Sequence, residues 1–546
     1  MTLAILEVSR KQDYIFSSRR LGDNARRSLE IAYVTGAEGD GRFFREAAGD
    51  LFQPENLIST GGGHTTLSFP DAERARTFVV RVTEAARRRF PDMELYAKIM
   101  DCDGGDLGAG LETLSKALEA KKARRRASFG WRGVGVEKLD AERYKPVPIG
   151  AAERDRDIES ALKEFEKRLG AGDRKYPREF EKILKSVPDG GENFLAVVHI
   201  DGNSMGKRVR KLYDSFQGRD FASARMDLQA FSDGIQKDFE EAFRRTAQAL
   251  ARHCQEVERA LEERRGDAAQ APKERRPDPE FLPIRPIILA GDDVTFVSAG
   301  RYGLQCAEIF LNELASLRNP NDHASYAACA GVAMVHKNYP FHRAYELAEE
   351  LCGEAKRFGA EIDPECRVSV MDWHIEFGQL KDSLSELRND YQTEDGNRLE
   401  LRPVAVTAAD MEGGEARESF NGKWESVTGG VRTWEFFRGM CGAIGRDYGK
   451  IARGKIKNFR EALKQGEKES EFYLEDKEIS DFLYHGLTAQ YGSDAYRKAY
   501  EQITGVEGKL IKETFRQIGG EKQKRCLFFD AIEIMDHCEL FEGAKA

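Results

Sequence analysis

The chain has 546 residues, 40% of them apolar and 33% charged, with a formal net charge of -9. That length holds about three or four domains of ordinary size, and the apolar fraction excludes a chain too polar to bury a core. No stretch approaches the ~18 uncharged apolar residues of a membrane span and the start, MTLAILEVSRKQ, has no secretory pattern, so no membrane partner and a cytoplasmic place are expected. The negative balance gives no global attraction to nucleic acid, whereas phosphate-bearing small substrates need only a few local cations. Nine cysteines without a CxxC pair exclude a zinc ribbon and a disulfide framework, and read as small buried hydrophobes.

In chain order, LAILEV at 3–8 predicts a strand, 24–33 a helix, and NLIST followed by GGG and HTTLSF a glycine-rich hairpin ending in a strand at 64–69. A helix at 71–90 and a strand at 94–100 follow. Residues 106–190 read as a charged helical linker with a basic cluster at Lys121, Lys122, Arg124, Arg125 and Arg126, a solvated helix face rather than an RNA contact. A second copy of the same order begins with LAVVHI at 195–200, bounded by DGN. It continues through a long helix at 221–264, a hairpin built from IRPIIL, an AGDD turn and VTFVS, a helix at 302–317, a strand at 326–335 and a helix at 341–358. The Pro-rich, charged stretch within 264–281 reads as a surface loop inserted before that hairpin. From 379 onward the pattern is mostly helical, as in NFREALKQ and SDFLYHGL.

The expected fold is therefore α+β. Two ferredoxin-like, polymerase-palm units of β-α-β-β-α-β order (1–105 and 191–378) are separated by the helical linker (106–190) and followed by a C-terminal helical domain (379–546). Laid over one another, the copies place Ser9 on Asp201 and Gly62, Gly63 and His64 on Gly291, Asp292 and Asp293, so the acids belong to the second copy only.

A GDD tripeptide alone is ordinary hairpin chemistry. Combined with a strand ending in Asp201 in the same unit, Asp292 and Asp293 form an acidic centre, because neighbouring strands lie roughly 5 Å apart and their carboxylates can share ions. An all-oxygen donor set suits Mg2+ or Mn2+, and two such ions clamp the attacking and leaving oxygens of phosphoryl transfer. The loop Gly202, Asn203, Ser204, Met205, Gly206, Lys207 opens a helix, where backbone amides can approach a triphosphate, with Lys207 and Arg208 adding charge. Gly291 leaves room for a base or sugar. Lys356, near the end of its helix, reads equally as a phosphate contact or as helix-end charge. GGGH of the first copy is either a tight turn or a surface for a second nucleotide, and His64 reads as structural or base-contacting rather than a metal ligand. His199, on a buried strand, reads as a core histidine.

These residues resemble the palm-domain CRISPR polymerases, the large subunit of type III CRISPR effector complexes. ILEVSRKQDYIFSSRRL looks like that family's first-palm start, GGGHTTLSF its glycine-rich hairpin, HIDGNSMGK its second-palm acid loop and LAGDDVTFV its GGDD hairpin. YAACAGVAMVHKNYPFHRAYELAEELCGEAK is similar to the strand and helix that close the second palm. The resemblance implies a cyclic oligoadenylate synthase that polymerises ATP by 3′ to 5′ transfer and closes the product into a second messenger of antiviral defence. It also implies that Asp201, Asp292 and Asp293 hold the metals, that 202–206 cradle the donor triphosphate, and that Gly61, Gly62, Gly63 and His64 face the acceptor.

Three departures accompany it. No His is followed by Asp, so a shorter branch without the HD nuclease domain is expected; no CxxC module lies between the palms; and Ala290 replaces the first glycine of GGDD. ATP or other nucleoside triphosphates are the expected ligands, with RNA, CRISPR-like subunits or self-association open as macromolecular partners. Two other readings stay open: a nucleotide- or RNA-binding scaffold without turnover, and a GGDEF-like cyclic dinucleotide synthase using GTP.

Overall fold

A computed structural model describes residues 1–38, 41–102, 106–124, 151–188, 192–266, 278–378, 383–409, 414–444, 453–477 and 513–541. Its first sheet has the order β2-β3-β1-β4, with β1 at Thr2–Ser9, β2 at Leu57–Gly61, β3 at His64–Phe69 and β4 at Glu94–Asp101. β1 is antiparallel to both β3 and β4. With helices Leu21–Val34 and Ala72–Arg89 this is the expected β-α-β-β-α-β unit.

The second sheet repeats that order as β8-β5-β7-β6 and extends it by two strands, β9 and β10. Its strands are β5 (Phe194–Gly202), β6 (Ile284–Ala290), β7 (Asp293–Ala299), β8 (Ala328–His336), β9 (Val368–Glu376) and β10 (Val404–Ala408). β5 lies between β7 and β8 and packs against helices Gly303–Ala315 and Phe341–Ile362. Its residues from Leu195 to Ile200 are accordingly buried without alternation, which is why the sequence shows a continuous apolar run there.

The fold is the mixed α+β arrangement expected, and three features refine it. Helix Leu107–Ala123, within the stretch read as a linker, packs on β1 and β4. β9 was not read from the sequence because Asp372, His374 and Glu376 interrupt its apolar run; all three are buried, and Arg388 forks onto Asp372 at 2.6 and 2.8 Å. β10 comes from the mostly helical region after 379 and pairs antiparallel with β9, so that region shares the second sheet. The segment SDFLYHGL lies outside the described residues, as do Arg125, Arg126 and most of the inserted loop.

The two sheets exchange helices. Helix Leu21–Val34 of the first unit packs on β6, and helix Phe221–Gly266 of the second packs on β2. Gln229 on the long helix donates its amide to the Leu57 carbonyl at 2.7 Å. Each helix thus covers a strand of the other unit, and the two hairpin turns are brought face to face. All nine cysteines are unpaired. Among the described residues no helix is long and apolar enough to cross a membrane.

Candidate active site

The site is built where β5 ends beside the β6–β7 turn. Asp201 stands directly opposite Asp293 in the antiparallel register, and Ala290 closes the turn opposite Asp293. The next residue, Gly202, donates its N–H to the Asp292 carbonyl at 3.1 Å. A Cβ on Gly202 would lie 2.8 Å from Asp292 Cβ and 3.1 Å from Phe239 Cζ, so only glycine lets the strand end approach the turn this closely. Gly291 adopts φ +69° and donates its N–H to Gln236 Oε1 at 2.7 Å.

Three carboxylates in this space repel one another. Burial, and then the charge of Asp201, push Asp292 up to about 6 and Asp293 up to about 7. The Asp293 side chain as a whole is 40% exposed, yet its Oδ1 is turned inward and has no hydrogen-bond partner. His199 Nδ1 lies 3.7 Å from that oxygen and 3.3 Å from Thr295 Oγ1. Burial lowers the His199 pKa, so this histidine remains neutral and supplies no counter-charge. Lys356, from helix Phe341–Ile362, supplies one by pairing its ammonium with Asp201 Oδ2. Burial works against that ammonium and Asp201 more than offsets it, raising the Lys356 pKa.

The loop after Asp201 is held by its own backbone. Asn203 donates its N–H to the Ala327 carbonyl at 2.8 Å and its side-chain amide to the Val368 carbonyl at 2.9 Å. Ser204 takes a left-handed φ of 58°, and its hydroxyl donates to the Glu365 carbonyl at 3.2 Å. The Met205 side chain is buried in the core, which leaves only its backbone for a ligand. Gly206 is exposed with open space where a Cβ would stand. Exposed Lys207 reaches the Pro364 carbonyl at 3.2 Å. Arg208, expected to add free charge, is instead committed in a two-pronged pair to Asp322 at 2.7 and 2.8 Å.

The glycine-rich turn of the first unit abuts this site. Gly61, Gly62 and Gly63 all have positive φ, and a Cβ on Gly291 would lie 3.9 Å from the Gly62 amide nitrogen. His64 is exposed at the start of β3, and its charged neighbours are Glu7, Lys11 and Lys122. The register corrects the sequence overlay here. With His64 matched to Asp293, the residue opposite it is Glu7, not Ser9, so the first unit carries an acid at the position of Asp201. Glu7 pairs with Lys122 at 3.0 Å. Lys121 donates to the Ala97 carbonyl at 2.7 Å, in keeping with a protein-facing role for both lysines.

Four residues were missed by the sequence reading. Lys11 bonds the Gly62 carbonyl, and Gln12 donates to Tyr345 Oη at 2.8 Å and to Glu349 at 3.1 Å. Tyr345, Glu349, Cys352 and Lys356 recur at helical spacing along one stripe of Phe341–Ile362, which was the available signal. Among the described residues no group of three or more His, Cys, Asp or Glu side chains converges as a metal-holding cluster. What the geometry offers a cation is narrower: two opposed carboxylates, one with an orphaned buried oxygen, and an ammonium already resting on the other.

A sheet of this order, with an acidic strand end beside an acidic hairpin turn, defines a palm domain. Residues 194–361 match the family described as Cas10/Cmr2, second palm domain. No curated protein sequence matches the chain. Among solved structures it is similar to an apo Csm1-Csm4 cassette, at 12% identity and a TM-score of 0.46, over 98% of this chain and 69% of that one. It is also similar to Csm1 in T.onnurineus, at 15% identity and a TM-score of 0.46, over 92% of this chain and 66% of that one. A Csm1-Csm4 cassette in complex with cA3 is similar at 14% identity and a TM-score of 0.39, over 67% of this chain. The present chain spans 54% of the length of that last structure.

Proposed function

We propose that the chain is a Mg2+- or Mn2+-dependent nucleotidyltransferase that joins ATP into linear or cyclic oligoadenylate, in the cytoplasm and in antiviral defence. The observation that carries this reading is the cross-strand opposition of Asp201 and Asp293 at the mouth of a loop whose Gly206 is open to solvent. Asp201 and Asp293, with Asp292 beside them, would hold the cations, which when bound supply charge neutralisation for the attacking and leaving oxygens. The donor set fits: it is all oxygen, and Asp293 Oδ1 is a buried acceptor without a donor.

The remaining work falls to the chain's own groups. With the Gly202 and Asn203 amides donated to Asp292 and Ala327, the later part of the 202–206 loop, at a helix start, would orient the donor triphosphate, with Lys207 beside it. Gly291 and the turn of Gly61, Gly62 and Gly63 abut, and a second nucleotide would lie along the edge they share, with His64 at its first-unit end. Lys356, paired with Asp201 here, would be released toward the leaving phosphates wherever that carboxylate held a cation.

Incubation of the purified chain with ATP and either metal should release pyrophosphate, and mass spectrometry of the product separates adenylate from a GTP-derived dinucleotide. Wild-type protein that stays silent across metals, nucleotides and added RNA would sink the proposal. The Lys356–Asp201 pair and the lack of a three-carboxylate cluster among the described residues favour one second reading, a subunit that binds nucleotide or RNA among CRISPR-type partners without turnover. That reading predicts nucleotide binding with no pyrophosphate.

A further inference from the structure

We infer that the far end of the second sheet carries a site for single-stranded nucleic acid, centred on Phe377 and the helix Arg453–Gln465. Most of β5 separates it from the acidic turn. Phe194 and Asp201 are seven residues apart on that strand, about 23 Å at ordinary strand rise. The inference stands independently of the proposed activity.

Phe377 follows the wholly buried β9, yet its side chain is 59% exposed. It rests edge-on against His537, with ring centres 5.5 Å apart, and against Phe194 at 6.0 Å. Its ring is thus held by two aromatic neighbours while more than half of its surface stays exposed. Together with His537, Met535, Lys457 and Arg460 it lines a hollow of about 150 Å³. Burial lowers the His537 pKa, so that wall is a neutral aromatic surface.

Along one rim runs the helix RGKIKNFREALKQ, which carries five basic residues and a single acid, a local balance of +4 in a chain of net -9. Lys457, Arg460 and Lys464 recur at i, i+3 and i+7 and so share one face of it; Arg460 and Lys464 meet Glu461 at 3.4 and 3.2 Å, exposed pairs that a phosphate can displace. Two acids also line the hollow, but Glu533 is engaged by Arg402 at 2.9 Å and Tyr391 at 2.7 Å. Asp536 sits 3.9 Å from Lys457, a loose pair that a phosphate can displace.

An exposed, anchored ring beside a track of cations is the combination that holds a strand through base stacking and phosphate pairing, without base readout. The other exposed large apolar side chains among the described residues, Val80, Met226 and Phe472, do not line this hollow.

The test is fluorescence anisotropy of the full chain with labelled 15-nucleotide oligo-U and oligo-dT. Binding should be weakened about tenfold by Phe377→Ala and retained by Phe377→Tyr. Lys457→Glu with Arg460→Glu should weaken it and flatten its salt dependence, lowering the slope by about 0.7 for each phosphate that is no longer neutralised. Asp536→Asn should tighten it, and Asp293→Ala should leave it unchanged. A preference for oligo-U over oligo-dT identifies RNA as the ligand, and equal binding identifies any single strand; both support the site. The inference is overturned if neither strand binds, if Phe377→Ala and the charge reversals bind like the wild type, or if Phe377→Ala changes only self-association in sedimentation velocity.

Discussion

Asp201 and Asp293 face each other across two hydrogen-bonded strands, and among the described residues the only cation bonded to the pair is Lys356, which holds Asp201 alone. Asp293 is thus the less compensated of the two, with Oδ1 buried and unbonded. A costly arrangement of this kind at a strand end is typical of sites kept for function rather than stability.

Asp293→Asn should therefore separate stability from activity. Removing one of three mutually repelling carboxylates should raise the melting temperature by about 2 °C, while pyrophosphate release falls to background. Calorimetry and a pyrophosphate assay on the same preparation check it; a lowered melting temperature would show that the carboxylate is satisfied.

Lys356→Ala should tighten divalent cation binding about tenfold, because the ammonium competes for Asp201, and should at the same time slow turnover. Manganese titration followed by electron paramagnetic resonance reads the first effect. Unchanged affinity would mean that Asp201 is not a cation ligand.

Two glycines offer a contrast. A Cβ on Gly331 would lie 1.9 Å from the Ala348 carbonyl oxygen and 2.5 Å from the Cys352 amide, so β8 and helix Phe341–Ile362 must separate. Gly331→Ala should cost about 3 kcal/mol in urea unfolding. Gly206→Ala meets nothing within 4 Å, sits in helix Met205–Asp214, and should leave stability unchanged or up to ~1 kcal/mol higher. Any loss of activity in that variant then reports close approach of a triphosphate to the backbone.

Stability should also vary with pH through Glu308, which burial pushes up to about 7 from its ordinary 4.5. As pH rises the unfolded chain releases this proton first. The contribution is full below about pH 4.5 and is lost as pH climbs through about 7, about 3 kcal/mol in all. Glu308→Gln should flatten that slope. The new amide can donate to Gln305 Oε1, which is buried without a partner, once the Gln305 amide turns over. Chemical denaturation at pH 5 and pH 8 decides it.

The repeat of β-α-β-β-α-β was legible because each buried strand is a short apolar run bounded by glycine or aspartate, as at 195–202 and 64–69. Both turns were legible for the same reason. The relation between the two copies was not: sequence spacing aligned Ser9 with Asp201, whereas hydrogen-bond register aligns Glu7. Register depends on which residues meet across strands, and a two-residue shift keeps the same faces buried, so hydrophobic pattern cannot detect it. β9 was hidden because its buried acids look like surface residues until Arg388 is brought from another segment.

The sequence by itself determined the repeated β-α-β-β-α-β elements, their order and the three acids beside their turn, since those follow from local apolar periodicity and turn chemistry. Only the tertiary structure decided that Lys356 rests on Asp201, that Gln12 of the first unit grips Tyr345 and Glu349 of the second, and that Arg208 is committed to Asp322. Each of those contacts joins residues more than 100 positions apart, and their partners are chosen by packing and charge in three dimensions, which no local pattern encodes.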